Sequence, residues 1–216
     1  MSIRIVLADD HTILRQSLVK SFKEEKDIEI VGEAKDGRHT AELVKQLQPD
    51  LVIMDIQMPD LNGLEATRRI VKEFPQIKVI GLSMHSNDKY IREMFRAGAS
   101  GYMLKNCSFE ELVKAVRTIM KGKIFIGASI GDLVISKYIN IPEKEGSAFS
   151  VLSEREREIL QLLAEGRTTK IIARLLHISP KTVEGHRLKM MDKLNIDSIA
   201  NLTKYAIQEG MTTPEP

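Results

Sequence analysis

Three aspartates, a serine and a lysine carry the chemistry of the first half of this chain. Asp9-Asp10 follow the run Ile5-Val6-Leu7-Ala8, Asp55 follows Leu51-Val52-Ile53-Met54, Ser83 closes Val79-Ile80-Gly81-Leu82, and Lys105 closes Tyr102-Met103-Leu104. Each polar group sits where an apolar run of strand length stops, and a strand buried on both faces reads as such a run. An uncompensated buried charge is far too costly, so Asp55 is expected at the mouth of its strand, a carboxylate displayed at the sheet's edge. Three crowded carboxylates repel one another, and a hard divalent cation such as Mg2+ is the usual remedy, bound through one or two carboxylates and several waters. The cluster Asp9, Asp10, Asp55 therefore predicts a metal site.

The elements that must position these groups follow from the same runs. Strands are expected over Arg4 to Ala8, Glu29 to Ala34, Leu51 to Asp55, Lys78 to Ser83 and Gly101 to Lys105, with helical segments such as Thr40 to Leu47 and Tyr90 to Ala97 between them. Pro59 lacks a backbone donor and Asn62-Gly63 favours a turn, so the third strand hands over to a loop near Gln57. Five strands alternating with helices give an α/β, doubly wound parallel sheet, and ligands on such sheets gather at the carboxyl ends of the strands. Ser108 to Lys121 reads as the closing helix. Singly, Ser83 passes for a strand end, Tyr102 for a half-buried aromatic and Lys105 for a solvated charge; their joint placement carries the argument.

With 216 residues, 43% of them hydrophobic, the chain has enough for one or two cored domains. The apolar stretch in MSIRIVLADD is too short for a signal-peptide core, and no run approaches a membrane span, so a soluble, cytoplasmic protein without membrane insertion is expected. A single cysteine, Cys107, allows no internal disulfide and reads as an incidental thiol. The net charge of +2 conceals an asymmetry. From Pro142 to Glu165 six acids face three bases, whereas from Gly166 to Leu194 seven bases face two acids. A local basic surface attracts a polyanion even on a nearly neutral chain.

The second half follows helical rules. Ser153-Glu154-Arg155-Glu156 forms a capping box ahead of Ile159, Leu160, Leu162 and Leu163, and this helix ends at Gly166. Thr168 or Thr169 caps a second helix carrying Ile171, Ile172, Leu175 and Leu176, and Ser179-Pro180 opens a third. A fourth runs from about Ser198 to Glu209 and stops at Gly210. The turn Leu176-His177-Ile178-Ser179 between two short helices fits a helix-turn-helix. A helical bundle serving only oligomerisation is the plain alternative, and the basic density favours DNA. On the third helix, Val183, Met190 and Leu194 form the buried stripe, with Arg187 at its border. Lys181, Gly185, Leu188 and Asp192 face away, flanked by Glu184 on one side and by Thr182, His186 and Lys189 on the other. The expected division is residues 1–121, a linker over 122–149 with a short helix over Ile130 to Ile139, the helical module over 150–210 and a tail over 211–216.

Roughly residues 1–121 resemble the receiver domain of bacterial two-component response regulators. The match lies in the Asp9-Asp10 pair, Asp55 followed by Met58-Pro59 and Gly63, Ser83, and Gly101-Tyr102-Met103-Leu104-Lys105. Residues 150–210 look like the LuxR-type effector domain, through Leu152-Ser153-x-Arg155-Glu156-Arg157-Glu158-Ile159-Leu160, Gly166, Ile172-Ala173, Leu176-x-Ile178-Ser179, Thr182-Val183-x-x-His186 and Lys193-Leu194. The combination is that of the NarL/FixJ subfamily.

That resemblance implies a five-stranded, flavodoxin-like receiver joined to a four-helix DNA-binding module. Asp55 would be the phosphoacceptor, served by a sensor histidine kinase. Asp10, Asp55 and the backbone carbonyl of Gln57 would bind Mg2+, with Asp9 acting through water. Lys105 would offset the added charge, Ser83 would hydrogen-bond a phosphoryl oxygen, and Tyr102 would turn inward as Ser83 moves. The implied chemistry is gain and loss of a phosphoryl group at Asp55 in a non-enzymatic transcription regulator. Operator DNA would be met by Lys181, Thr182, Glu184, Gly185, His186, Arg187, Leu188 and Lys189, by a homodimer closed through Ile199, Leu202 and Ala206, with RNA polymerase a further partner.

Glu184 departs from the lysine common at its position, and it can accept from a cytosine amino group or pair locally with Arg187 or Lys181; Leu188 suits a thymine methyl. Ile171 and Ile199 replace an acid and an arginine common in the family. An Mg2+-dependent phosphohydrolase also uses aspartyl phosphate on such a sheet, but this chain has no large cap insertion to hold a substrate.

Overall fold

A computed structural model of the chain describes residues 2–84, 86, 88–131 and 151–212. It divides into two compact units, residues 1–141 and 142–216.

The first unit is a parallel sheet of β1 (Ile3–Ala8), β2 (Ile28–Ala34), β3 (Leu51–Asp55), β4 (Lys78–Ser83), β5 (Gly101–Leu104) and β6 (Phe125–Ile126) in the order β2-β1-β3-β4-β5-β6. Connecting and closing it are α1 (Thr12–Phe22), α2 (Gly37–Leu47), α3 (Gly63–Glu73), α4 (Asp88–Arg96) and α5 (Phe109–Met120). The order of the first five strands reverses between β1 and β3, which is the switch point where doubly wound sheets bind ligands. Because every ladder is parallel, β1, β3, β4 and β5 end on one edge, with Ala8 beside Met54, Asp55 beside Leu82 and Ser83 beside Leu104.

One face of the sheet buries Ile5, Leu7, Ile53 and Leu82 against α5 through Leu112 and Val116. Phe22 of α1 meets Phe109 of α5 edge to face, ring centroids 4.9 Å apart. On the other face, Gly81 leaves room for Met94 of α4, whose methyl would lie 2.7 Å from an added Cβ.

The expectation of five strands is corrected to six. Phe125 pairs with Gly101 and Ile126 with Tyr102, within a stretch assigned to the linker. Two residues give no alternation to read, so sequence pattern alone does not reveal such a strand. Asn62-Gly63 also differs from the expected turn. Asn62 accepts the Glu65 N–H at 2.9 Å as the cap of α3, and Gly63 is the first residue of that helix. The helix expected over Ile130 to Ile139 lies, beyond Gly131, outside the described residues.

The second unit holds α6 (Glu154–Ala164), α7 (Thr169–Leu175), α8 (Pro180–Leu194) and α9 (Ile199–Gln208). Its core is Ile159, Leu162, Ile172, Val183, Met190 and Leu202 with their neighbours. Ser153, Thr168, Ser179 and Ser198 cap the four helices, and the capping box of Ser153 and Glu156 is complete. Between α7 and α8 the backbone reverses at His177, a left-handed residue with φ of 53°. The Ile178 N–H closes on the Ala173 carbonyl at 3.0 Å, and Arg155 of α6 ties down the Leu176 carbonyl at 2.5 Å.

Candidate metal centre and nucleic-acid interface

At the sheet edge the predicted polar groups converge. Lys105 Nζ lies 2.7 Å from Asp55 Oδ2 and 2.8 Å from Asp9 Oδ2, and its side chain is 4% exposed. Asp55 ends β3 as expected but is buried, not displayed. The ammonium of Lys105 and the Gln57 N–H, 3.2 Å from Asp55 Oδ1, compensate its charge. Compensation is incomplete. Burial, reinforced by the charge of Asp9, outweighs Lys105 and the Gln57 N–H and raises the Asp55 pKa to about 7.

Asp9 is buried and locally fixed. The His11 N–H donates to its Oδ1 at 2.8 Å, and Arg15 donates to its carbonyl at 2.5 Å. Asp10 is exposed. Asp9, Asp10 and Asp55 each offer an oxygen, and these atoms lie within 4.8 Å of one another and of a nitrogen of His11. With all three carboxylates ionised, the one ammonium leaves two negative charges, the complement of a divalent cation, so the donor set fits Mg2+.

Gly63 stands against this site. A Cβ there would lie 1.9 Å from the Asp55 carbonyl oxygen, so only glycine lets α3 start so close to the end of β3. The Gln57 side chain is engaged elsewhere, its Nε2 donating to the Tyr90 hydroxyl at 3.1 Å.

Ser83 and Tyr102 meet as well. Tyr102 is fully buried and its hydroxyl is hydrogen-bonded to Ser83. Burial pushes its pKa up to about 12. The inward position expected to follow a movement of Ser83 is thus already occupied.

On α8 the predicted groups separate by burial. Lys181, Thr182, Glu184, Leu188 and Lys189 are exposed, Gly185, His186 and Arg187 are half-buried, and Val183 and Met190 are core. Thr182 is partly committed to the cap, its Oγ1 2.8 Å from Ser179 Oγ. Among the described residues no ion pair joins Glu184 to Lys181 or Arg187, which leaves its carboxylate to face outward. Gly185 has open space where a Cβ would stand, so no packing within the chain demands a glycine there. Lys193 is turned away from the outer face by an ion pair with Glu156 of α6 at 2.7 Å.

The dimerisation set needs correction. Leu202 and Ala206 are 0% exposed within the core of this unit, and of the three residues only Ile199, 47% exposed, offers surface. Spacing along a helix identifies an apolar face but not what covers it. His11, Tyr90 and Arg15 were not anticipated as site residues. For His11 the available signal was its position directly after the two acids.

Comparison with known proteins matches two families along the chain. Residues 5–117 match the response regulator receiver domain, and residues 150–206 match the bacterial regulatory proteins of the luxR family. The chain is 39% identical to the oxygen regulatory protein NreC of Staphylococcus carnosus over 96% of its own length and 98% of NreC. It is 35% identical to the response regulator UvrY of Escherichia coli over 99% of its length and 97% of UvrY. Among solved structures, two RcsB dimers bound to two parallel DNAs match with a TM-score of 0.60 at 27% identity, over 96% of this chain and 98% of that one. No described helix is long and apolar enough to cross a membrane. The chain belongs to the two-component response regulators, a receiver domain followed by a LuxR-family DNA-binding domain that regulates transcription.

Proposed function

We propose that Asp55 is the phosphoacceptor of this regulator and that a sensor histidine kinase supplies the phosphoryl group. A carboxylate oxygen of Asp55 attacks phosphorus, the bond from phosphorus to the kinase histidine breaks, and the histidine nitrogen keeps the electron pair. The observation that carries this reading is the Lys105 ammonium held 2.7 Å from Asp55 Oδ2, beside the gathered carboxylates of Asp9 and Asp10. Asp10, Asp55 and the Gln57 carbonyl hold Mg2+, with Asp9 acting through water. When bound, the ion neutralises the acids and the incoming phosphoryl oxygens, which is most of what phosphoryl transfer asks of a protein. Lys105 then pairs with the new anion, Ser83 donates to a phosphoryl oxygen, and Tyr102 holds Ser83 in place. The protein's own chemistry is confined to the gain and loss of this group.

The reader of operator DNA is α8. Lys181, Thr182, Arg187, His186 and Lys189 set register on phosphates, while Glu184, Gly185 and Leu188 face the base edges. A homodimer with Ile199 in its seam binds two half-sites, and the RcsB dimers bound to DNA support a dimeric DNA binder. The functional segments are 1–121, the linker 122–149, 150–210 and the tail 211–216. The protein works in the cytoplasm, where kinase, operator and RNA polymerase are its partners. Phosphorylation acts by favouring a receiver state that frees the DNA-binding domain to dimerise.

The test is the intact mass of the wild-type chain and of Asp55→Asn after incubation with Mg2+ and a small-molecule phosphodonor. One labile phosphoryl adduct on the wild type alone is expected, with tighter operator binding by the adduct. An adduct on both chains, or on neither, overturns the assignment to Asp55. Truncation to residues 147–216 is expected to bind DNA at least as tightly as the unphosphorylated full chain.

A further inference from the structure

Arg15 touches the acidic pair through the main chain rather than through a carboxylate. β1 ends at Ala8, and the Asp9 N–H still bonds to the Ala34 carbonyl at 3.0 Å, but α1 begins only at Thr12, so Asp10 lies on the stretch that links strand to helix. Arg15, early in α1, closes that stretch twice. Its main-chain N–H bonds to the His11 carbonyl at 3.0 Å, and its guanidinium Nη1 donates to the Asp9 carbonyl at 2.5 Å. Asp10 is the residue between these two anchored carbonyls.

The guanidinium is itself held. Its Nε donates to Glu33 Oε2 at 3.3 Å, and Glu33 pairs with Leu7 across the β2-β1 ladder. The planar fork of arginine bridges carbonyl and carboxylate at once. Glu33 also offsets the guanidinium charge, so a fixed cation stands near the acids without adding net charge there.

The Asp9 carbonyl and the Asp10 N–H belong to one planar peptide. Holding the oxygen therefore sets the plane from which the Asp10 side chain leaves the main chain. Asp9 is further fixed by Lys105 and the His11 N–H on its buried carboxylate, whereas Asp10 is exposed and takes its direction from the main chain. Direction matters because Mg2+ demands near-ideal octahedral geometry.

We propose that Arg15 is a positioning residue of the phosphoryl-accepting site: braced by Glu33, it fixes the Asp9-Asp10 peptide and so aims Asp10 at the metal ion. The proposal rests on the reading of Asp10 as a ligand of that ion.

The experiment compares the full chain as wild type, Arg15→Ala, Arg15→Lys, Glu33→Ala and Arg117→Ala. Arg117 makes a clamp of the same kind, 2.6 Å from both Glu25 and Asp27, before the amino end of β2, and reports what loss of such a clamp does to the fold alone. Mg2+ affinity is read by calorimetric titration without phosphodonor, and the rate of phosphoryl-adduct formation is followed by intact mass against Mg2+ concentration. Arg15→Ala is expected to lose about tenfold in Mg2+ affinity and to keep the rate at saturating Mg2+ within about twofold. Arg15→Lys regains most of the affinity, because its ammonium still donates to the carbonyl. Glu33→Ala loses about threefold and carries the test should Arg15→Ala fail to fold. Arg117→Ala binds Mg2+ as the wild type does. Unchanged affinity in the variant that carries the test, an equal loss in Arg117→Ala, or a fall in the saturating rate with affinity unchanged overturns the role of Arg15 and leaves the aspartate site standing. A wild-type chain that binds no Mg2+ overturns the metal reading, and this role with it.

Discussion

Lys105 Nζ sits 2.7 Å from Asp55 Oδ2 with both side chains almost fully buried, yet the Asp55 pKa is still raised to about 7. Desolvation therefore outweighs a close ammonium, and in the metal-free protein Asp55 carries a proton through much of the mildly acidic range. Metal binding must displace that proton. Mg2+ affinity is accordingly expected to rise about tenfold between pH 6 and pH 8, as ionisation passes through about 7, and then to level off. Calorimetric titration across that range checks it, and a flat profile would remove Asp55 from the metal site.

Gly63→Ala tests the close approach of α3 to β3. A methyl 1.9 Å from the Asp55 carbonyl cannot be accommodated without moving backbone. The expected outcome is a loss of about 1–3 kcal/mol in stability, together with slower phosphorylation of whatever fraction stays folded. Denaturant titration reads the first effect and the rate of phosphoryl-adduct formation by intact mass reads the second.

Glu156 joins the cap of α6 to the far end of α8. Burial raises its pKa, but hydrogen bonds from Lys193 and from the backbone and side chain of Ser153 outweigh this and hold it below the usual carboxylate range. A depressed carboxylate stabilises the folded state above its ordinary pKa and loses that contribution as pH falls through the depressed value. Glu156→Gln should therefore lower stability at pH 7 by about 1–3 kcal/mol, and the gap from wild type should begin to narrow as pH falls below the ordinary carboxylate value. Urea unfolding at pH 7 and at pH 3.5 distinguishes this from a gap independent of pH.

Gly185 is a glycine inside a helix with nothing near its missing Cβ. Such a residue weakens a helix by about 0.5–1 kcal/mol relative to alanine. Gly185→Ala is expected to gain roughly that much stability and to weaken operator binding, because the added methyl stands on the face that approaches the bases. Thermal melting and a binding titration against operator DNA give the two readings, and undiminished affinity would place the groove elsewhere.

Much of the receiver can be read from the chain because its strands are apolar runs with sharp ends. Leu51–Asp55 and Lys78–Ser83 form over the expected residues, and the capped starts of α6 and α8 lie at Ser153 and Ser179 as their sequences indicate. What pattern does not carry is cover. The run before Asp55 shows where the strand stops, but the burial of that carboxylate depends on Lys105, fifty residues away, and on the chain turning back at Gln57. Leu202 and Ala206 fail as surface residues for the same reason, and Lys193 leaves the basic face because Glu156 reaches it from another helix. The three-dimensional partners, not the local types, decide these cases.

The sixth strand bears on where this chain can be cut. Phe125 N–H bonds to the Ser100 carbonyl at 3.1 Å and Gly127 N–H to the Tyr102 carbonyl at 2.9 Å, so residues 125–127 seal the margin of β5. A fragment ending at residue 121 would lack this seal and present the bare main-chain groups of a strand rich in apolar residues. Such a margin is a template for a second copy to pair against, so the isolated fragment is expected to self-associate more readily than the full chain.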